Sequence, residues 1–110
     1  MANSTTSEDF REQVIVDTAP AAAGYYTNEV NARQLFNNMV REIYLSIRGT
    51  GNMTVTLEFK MPGDSTWSQY AQYSANILKV IRDPRAGAQW RAGVKSGDYQ
   101  SGSFTFGFNW

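Results

Sequence analysis

The last stretch of the chain, FTFGFNW at residues 104–110, decides the fold. Large apolar side chains occupy every second position, which is the period of a β-strand with one buried and one exposed face. Burial of each such side chain is worth roughly 1.5–3 kcal/mol, so an entire row of aromatics is not left in water. We therefore expect the C-terminus to be a strand that closes a hydrophobic core, with inward side chains Phe104, Phe106, Phe108 and Trp110.

Two earlier segments show the same alternation: REIYLSIR at residues 41–48 and MTVTLEFK at residues 53–60. The sequence between them, GTGN, is short and rich in glycine, which predicts a hairpin of the two segments. Turn residues recur along the rest of the chain, and convincing helical periodicity is missing. The pattern predicts an all-β fold, a single β-sandwich of jelly-roll type over residues 14–110.

The first part of the chain differs in composition. Residues 1–13 are polar and rich in Ser, Thr and acids, with Phe10 as the only large apolar side chain after Met1. Such a segment buries too little apolar surface to order itself, so we expect a flexible N-terminal arm. It could clamp a partner, with Phe10 in an apolar groove and Arg11 in an ion pair, or it could be a disordered start without a role.

Composition restricts the function. The chain has 110 residues, 10 Lys+Arg, 10 Asp+Glu, no His and no Cys. Without His or Cys there is no Ser-His or Cys-His nucleophilic pair and no common zinc site, and the acids are scattered over turns and polar strand faces. We expect no enzyme, no catalytic residue, no cofactor and no metal. Zero net charge argues against nucleic acid, and the short apolar runs argue against a membrane span; the N-terminus does not resemble a secretory signal.

The aromatic side chains leave two interpretations open. A flat platform of rings could stack on sugars, as in carbohydrate-binding β-sandwiches, or the same rings could pack in the core, where Trp and Tyr are good strand residues. We expect Trp67 and Trp90 to lie in the core or at a subunit interface. Tyr44 shares its strand face with Arg48, so we expect it outside or at an interface. The rings considered for a platform are Trp67, Tyr70, Tyr73, Tyr25, Tyr26 and Tyr44.

Residues 49–110 resemble small structural proteins of tailed bacteriophages. The similar features are a GTGxxTVTL segment, a turn with TW, a Tyr-rich strand, WRxGVKSGDY and a closing SGS strand. The resemblance implies a capsid decoration, or cement, protein that binds across neighbouring major capsid subunits and stabilises the expanded shell. It would lie on the virion exterior after synthesis in the host cytoplasm, and self-associate as a homodimer or homotrimer on a symmetry axis.

The residues expected to contact the capsid or another subunit are Phe10, Arg11, Tyr25, Tyr26, Tyr44 and Arg48. Two alternatives to a decoration protein remain. One is a carbohydrate-binding β-sandwich module, in which case a glycan is the partner, and the other is a tail or baseplate component with the same sandwich.

Overall fold

The computed structural model describes residues 3–8, 11–31, 42–82 and 88–109. Within these ranges the chain is all β, as the sequence predicts, and has no helix that could cross a membrane. The strands are β1 (Ser4–Glu8), β2 (Arg11–Val16), β3 (Tyr25–Tyr26), β4 (Val30–Asn31), β5 (Glu42–Gly49), β6 (Asn52–Met53), β7 (Val55–Lys60), β8 (Ser68–Tyr73), β9 (Ile77–Arg82), β10 (Gln89–Val94), β11 (Tyr99–Ser101) and β12 (Phe104–Asn109).

Two antiparallel sheets enclose one core. Sheet A has the order β1-β2-β12-β5-β9, and sheet B has the order β3-β10-β7-β8, with β4 also paired to β10. A short third sheet joins β11 to β6. The buried apolar side chains of sheets A and B form a single cluster, as expected for two layers that pack face to face. The arrangement is β-sandwich-like; the jelly-roll topology stays a prediction.

The terminal aromatic strand lies at the centre of sheet A. β12 pairs with β2 on one side and with β5 on the other. Phe104, Phe106 and Phe108 are 2%, 1% and 0% exposed, which confirms that this end of the chain closes the core. Trp110, the last member of the predicted row, lies outside the described residues.

The predicted hairpin of residues 41–48 and 53–60 is wrong. β5 belongs to sheet A and β7 to sheet B, so the two segments do not pair with each other. The connection between them crosses from one sheet to the other. Gly49 has a φ of 136°, and a Cβ there would lie 2.2 Å from the Ser103 carbonyl oxygen. The glycines therefore serve a close crossing of backbones, which the sequence does not distinguish from a hairpin turn.

Two predicted turns are confirmed. Gly63 has a φ of 89°, and the Asp64 N–H donates to the Met61 carbonyl oxygen at 3.0 Å. The KSGD turn closes in the same way, since the Asp98 N–H donates to the Lys95 carbonyl oxygen at 3.0 Å. Both glycine positions follow the chemistry of turns that need a positive φ at the third residue. Most of the predicted turn RDPRAG, residues 83–87, lies outside the described residues.

The predicted flexible arm is not confirmed. Residues 4–8 form β1, which pairs with β2 in the register Ser4↔Ile15 to Glu8↔Arg11. Residues 11–13, also assigned to the arm, begin β2 and pair with β12. Backbone pairing with a neighbouring strand orders this polar segment, even though it buries little apolar surface of its own.

We expect Phe106→Ala to lower the free energy of unfolding by about 3–5 kcal/mol, since it leaves a cavity between two sheets. Thr105→Ala is the matched control, because its side chain lies on the opposite face of the same strand and is only half-buried. Urea denaturation of both variants measures the difference. A similar loss in both variants would show that β12 is needed as backbone rather than as core.

Candidate functional site

Three of the predicted contact residues share one surface, the side of sheet A that faces away from the core. We call this surface the front face. Arg11 lies opposite Asn109, and Asn109 lies opposite Tyr44, so the three residues form one row across β2, β12 and β5. Arg48 lies further along β5 and pairs with Thr105 on the same face. The strand alternation that buries the phenylalanines thus places these side chains on one face of the sheet.

The front face also carries the most exposed large hydrophobic side chain in the described part of the chain. Leu78 on β9 is 66% exposed and lies opposite Ser46 of β5. Val80, two residues on, lies opposite Tyr44, whose hydroxyl donates to the Glu42 carboxylate at 3.0 Å. Tyr and Arg are enriched in protein interfaces. A surface that combines them with an exposed leucine on a rigid sheet suits contact with another protein.

The other predicted contact residues lie elsewhere. Tyr25 lies opposite Val94 and faces the interior, where its hydroxyl is 2.7 Å from the Thr5 hydroxyl of β1. This hydrogen bond links the two sheets at their edge. Tyr26 lies opposite Gly93 on the side of sheet B that faces away from the core, which we call the back face. Phe10 lies outside the described residues. The predicted contact residues therefore do not form a single patch.

The back face holds a cluster that the sequence does not reveal. Arg91 of β10 lies between two aromatic rings, with its guanidinium carbon 3.9 Å from the centre of the Tyr26 ring and 4.4 Å from that of the Trp67 ring. The Lys60 ammonium lies 4.9 Å from the centre of the Trp67 ring. These distances are within the range of cation–π attraction. We call Tyr26, Glu58, Lys60, Trp67 and Arg91 the back-face cluster.

A buried ion pair fixes the centre of the back-face cluster. Arg91 Nε donates to Glu58 Oε1 at 2.8 Å, and Arg91 Nη2 lies 2.8 Å from the same oxygen. The side chains are 24% exposed for Arg91 and 8% for Glu58. The two residues are cross-strand partners of β10 and β7, so the pair needs no rearrangement of the backbone. An ion pair in this position links β7 and β10 through their side chains.

The Tyr26 ring packs against the backbone of β10 at Gly93. A Cβ at Gly93 would lie 2.2 Å from the Tyr26 ring, so only glycine lets the ring pack this closely on β10. Burial, and after it the charge of Glu58, raise the pKa of the Tyr26 hydroxyl above its usual value. The Tyr26 ring thus packs against both Gly93 and Arg91.

The aromatic rings considered for a sugar platform do not share a face. Tyr25 and Tyr73 face the core, Tyr44 lies on the front face, and Trp67 is half-buried in the back-face cluster. Tyr70 lies at a bulge of β8, where its ring packs against Phe59 and Trp90. Trp90 itself is buried in the core, as expected. Trp67 lies outside the core, and its placement at a subunit interface, the other expectation for it, stays a prediction.

In the described part of the chain, no group of three or more His, Cys, Asp or Glu side chains is placed to hold a metal ion. Comparison of the chain with known protein families, with curated proteins and with solved structures gives no significant match.

We expect Arg91→Met to destabilise the fold more than Glu58→Gln, because it leaves a nearly buried carboxylate without its cation and also removes the packing against both rings. Breaking a fully buried pair costs about 3–5 kcal/mol, and the partial exposure of Arg91 makes the loss smaller here. The double variant should lose less than the sum of the single losses. Urea denaturation of all four proteins measures the coupling, and strict additivity would contradict the ion pair.

The raised pKa of Tyr26 predicts an effect of alkaline pH on stability. The pKa of Tyr26 in the folded protein lies above the unfolded value of about 10, so the native protein holds the hydroxyl proton more tightly than the unfolded chain does. The resulting contribution to the free energy of unfolding is present below about pH 10 and is lost as pH rises through the folded pKa. Tyr26→Phe keeps the ring on Gly93. We expect the variant to gain stability relative to the parent between pH 9 and pH 11 in paired urea melts; parallel curves would contradict this.

Proposed function

We propose that this chain is a non-enzymatic structural protein of a bacteriophage particle, a capsid decoration protein that binds across major capsid subunits with its front face. The resemblance of residues 49–110 to phage structural proteins supports the class of protein. The single observation that carries the choice of surface is the gathering of Arg11, Tyr44 and Arg48 on one side of sheet A, beside the exposed Leu78.

The sandwich-like fold suits a protein that acts by staying rigid. The front face is carried by β12 and β5, which are paired on both sides, so its side chains are held in fixed positions before binding. Binding a partner then costs little conformational freedom, which favours affinity from a modest surface.

Shell stabilisation follows from differential binding. A protein that binds the expanded lattice and not the loose capsid subunits shifts the equilibrium toward the lattice by mass action. Many copies on a symmetric shell sum their contributions, so each contact can be of moderate strength. No chemical step is needed for this role.

The test is a sedimentation assay with empty expanded shells of the phage that encodes the chain. We expect the parent protein to pellet with the shells, and both Tyr44→Ala and Arg48→Ala to weaken this binding at least several-fold. Gln69→Ala, an exposed position on the back face, is the matched control and should bind like the parent.

Two results would contradict the proposal. Failure of the parent to pellet would remove the capsid as partner, and specific binding to a glycan array in its place would favour the carbohydrate-binding alternative. Loss of binding in Gln69→Ala but in neither front-face variant would assign the contact to the back face.

A further inference from the structure

The two lateral sides of the sandwich differ in charge. Among the described strands, β1 and β9 are the ends of sheet A, and each pairs with one neighbour, β1 with β2 and β9 with β5. Residues 1–31, which contain β1 to β4, have five acidic side chains and one basic side chain. Residues 68–82, which contain β8 and β9, have two basic side chains and no acidic one. The net charge of zero is therefore unevenly distributed along the chain.

Acidic residues lie where β1 meets sheet B. The Ser7 hydroxyl donates to the Glu12 carboxylate at 2.5 Å and accepts from Asn28 Nδ2 at 3.1 Å. Glu29 follows Asn28 and is exposed. The one basic side chain of this region, Arg11, lies on the front face, on the other side of sheet A. We call Ser7, Glu12, Asn28 and Glu29 the acidic edge.

Lys79 lies at the opposite lateral side, at the same level along the strands. One cross-strand row on the core-facing side of sheet A consists of Ser7, Glu12, Phe108, Leu45 and Lys79. Phe108 and Leu45, in the middle of the row, are buried, whereas Lys79 is exposed. The Lys79 ammonium makes no ion pair or hydrogen bond with another described residue. An unpaired cation and a carboxylate thus lie toward the two ends of one row.

The two ends of this row match each other when one copy lies beside the next. Four successive antiparallel pairings lead from β1 to β9, so these two strands run in the same direction. A neighbour in the same orientation beside β9 therefore presents its β1 at the matching level. Ser7 and Glu12 of this neighbour then lie next to Lys79, on the same core-facing side of the sheet.

From these observations we propose that copies of this chain associate head to tail, with Lys79 of one copy against the acidic edge of the next. The partner is a second copy because Lys79 and the acidic edge agree in level, in sheet face and in charge, and complementary charges determine which surfaces meet and in which register. The inference goes beyond the proposed function and does not depend on it, since the front face stays free in every copy.

The inward charge of Lys79 is compatible with this neighbour. A charge on the core-facing side of an end strand opposes apolar strands, but the core-facing side of β1 carries the hydroxyl side chains of Thr5 and Ser7. The contact is made by side chains and needs no backbone ladder between β9 and β1. Lys79 can therefore approach the Glu12 carboxylate without being placed against an apolar surface.

The symmetry of the assembly follows from the two different surfaces that meet. A contact between unlike surfaces closes into a ring of three or more copies or continues as an open chain, whereas a closed dimer uses the same surface twice. Because the contact joins exposed charges, added salt should weaken the association.

The test exchanges the charges of the two partners. Lys79→Glu and Glu12→Lys each place like charges against each other, so either variant alone should associate at least several-fold more weakly than the parent in sedimentation equilibrium at low salt. An equimolar mixture of the two variants should recover the association of the parent. In an alternating assembly of the mixture, every contact again joins opposite charges.

Two further variants separate the charge effect from damage to the fold. Glu12→Lys also removes the acceptor of the Ser7 hydroxyl, so Glu29→Lys, which keeps this hydrogen bond, is a second variant of the acidic edge and should also recover association when mixed with Lys79→Glu. Arg48→Glu, the matched control, makes the same change of charge on the front face and should associate like the parent. Thermal melting checks that each variant is folded.

Three results would overturn the proposal. One is a parent protein that stays monomeric at low salt and high protein concentration. Another is a pair of folded variants, Lys79→Glu with Glu29→Lys, whose mixture associates no better than either variant alone. The third is an equal loss of association in Arg48→Glu, which would place the contact between copies on the front face. Sedimentation with empty shells measures capsid binding separately, so the two proposals can fail independently.

Discussion

Burial of the aromatic row of β12 against sheet B is the interaction on which the rest of the structure depends. β12 is the central strand of sheet A, and β2 and β5 attach to its two sides. The strand nearest the C-terminus thus holds a strand near the start of the chain, through pairs such as Phe106↔Val14. Pairs of such long sequence separation close large loops, so formation of sheet A is expected to be a late and slow step of folding.

The sequence predicts which residues form strands better than it predicts which strands pair with each other. The alternation in residues 41–48 and 53–60 places Ile43 and Leu57 correctly in the core. It does not say whether the two segments lie side by side in one sheet or face each other across two sheets. The second arrangement brings the two apolar faces into contact with each other, whereas a hairpin leaves both facing the same way. The crossing at Gly49 depends on the close approach of Ser103, a distant part of the chain that the local pattern does not show.

The back-face cluster could not be predicted for a related reason. Its members come from β3, β7 and β10 and from Trp67, just before β8, so their proximity follows from strand order and register. A period-two pattern shows that Glu58 and Lys60 share a face, but not that Arg91 lies opposite Glu58. The one local signal is Gly93 inside a strand, which marks a position where something approaches the backbone. The front face was more accessible to prediction, because Tyr44 and Arg48 belong to one strand.

Among the described residues, β9 and β1 are the end strands of sheet A, and the backbone edge of an end strand can pair with another chain. Lys79 on β9 lies opposite Leu45, whose side chain is buried, so a charged residue occupies the core-facing side of an edge strand. Such a charge opposes the addition of another strand, because it would have to be desolvated. At the other end, β1 carries hydroxyl side chains that hydrogen bond across the edge to Tyr25 and Asn28. At one end of sheet A a charge thus lies on the core-facing side of the end strand, whereas at the other end polar side chains fasten the end strand to the rest of the chain.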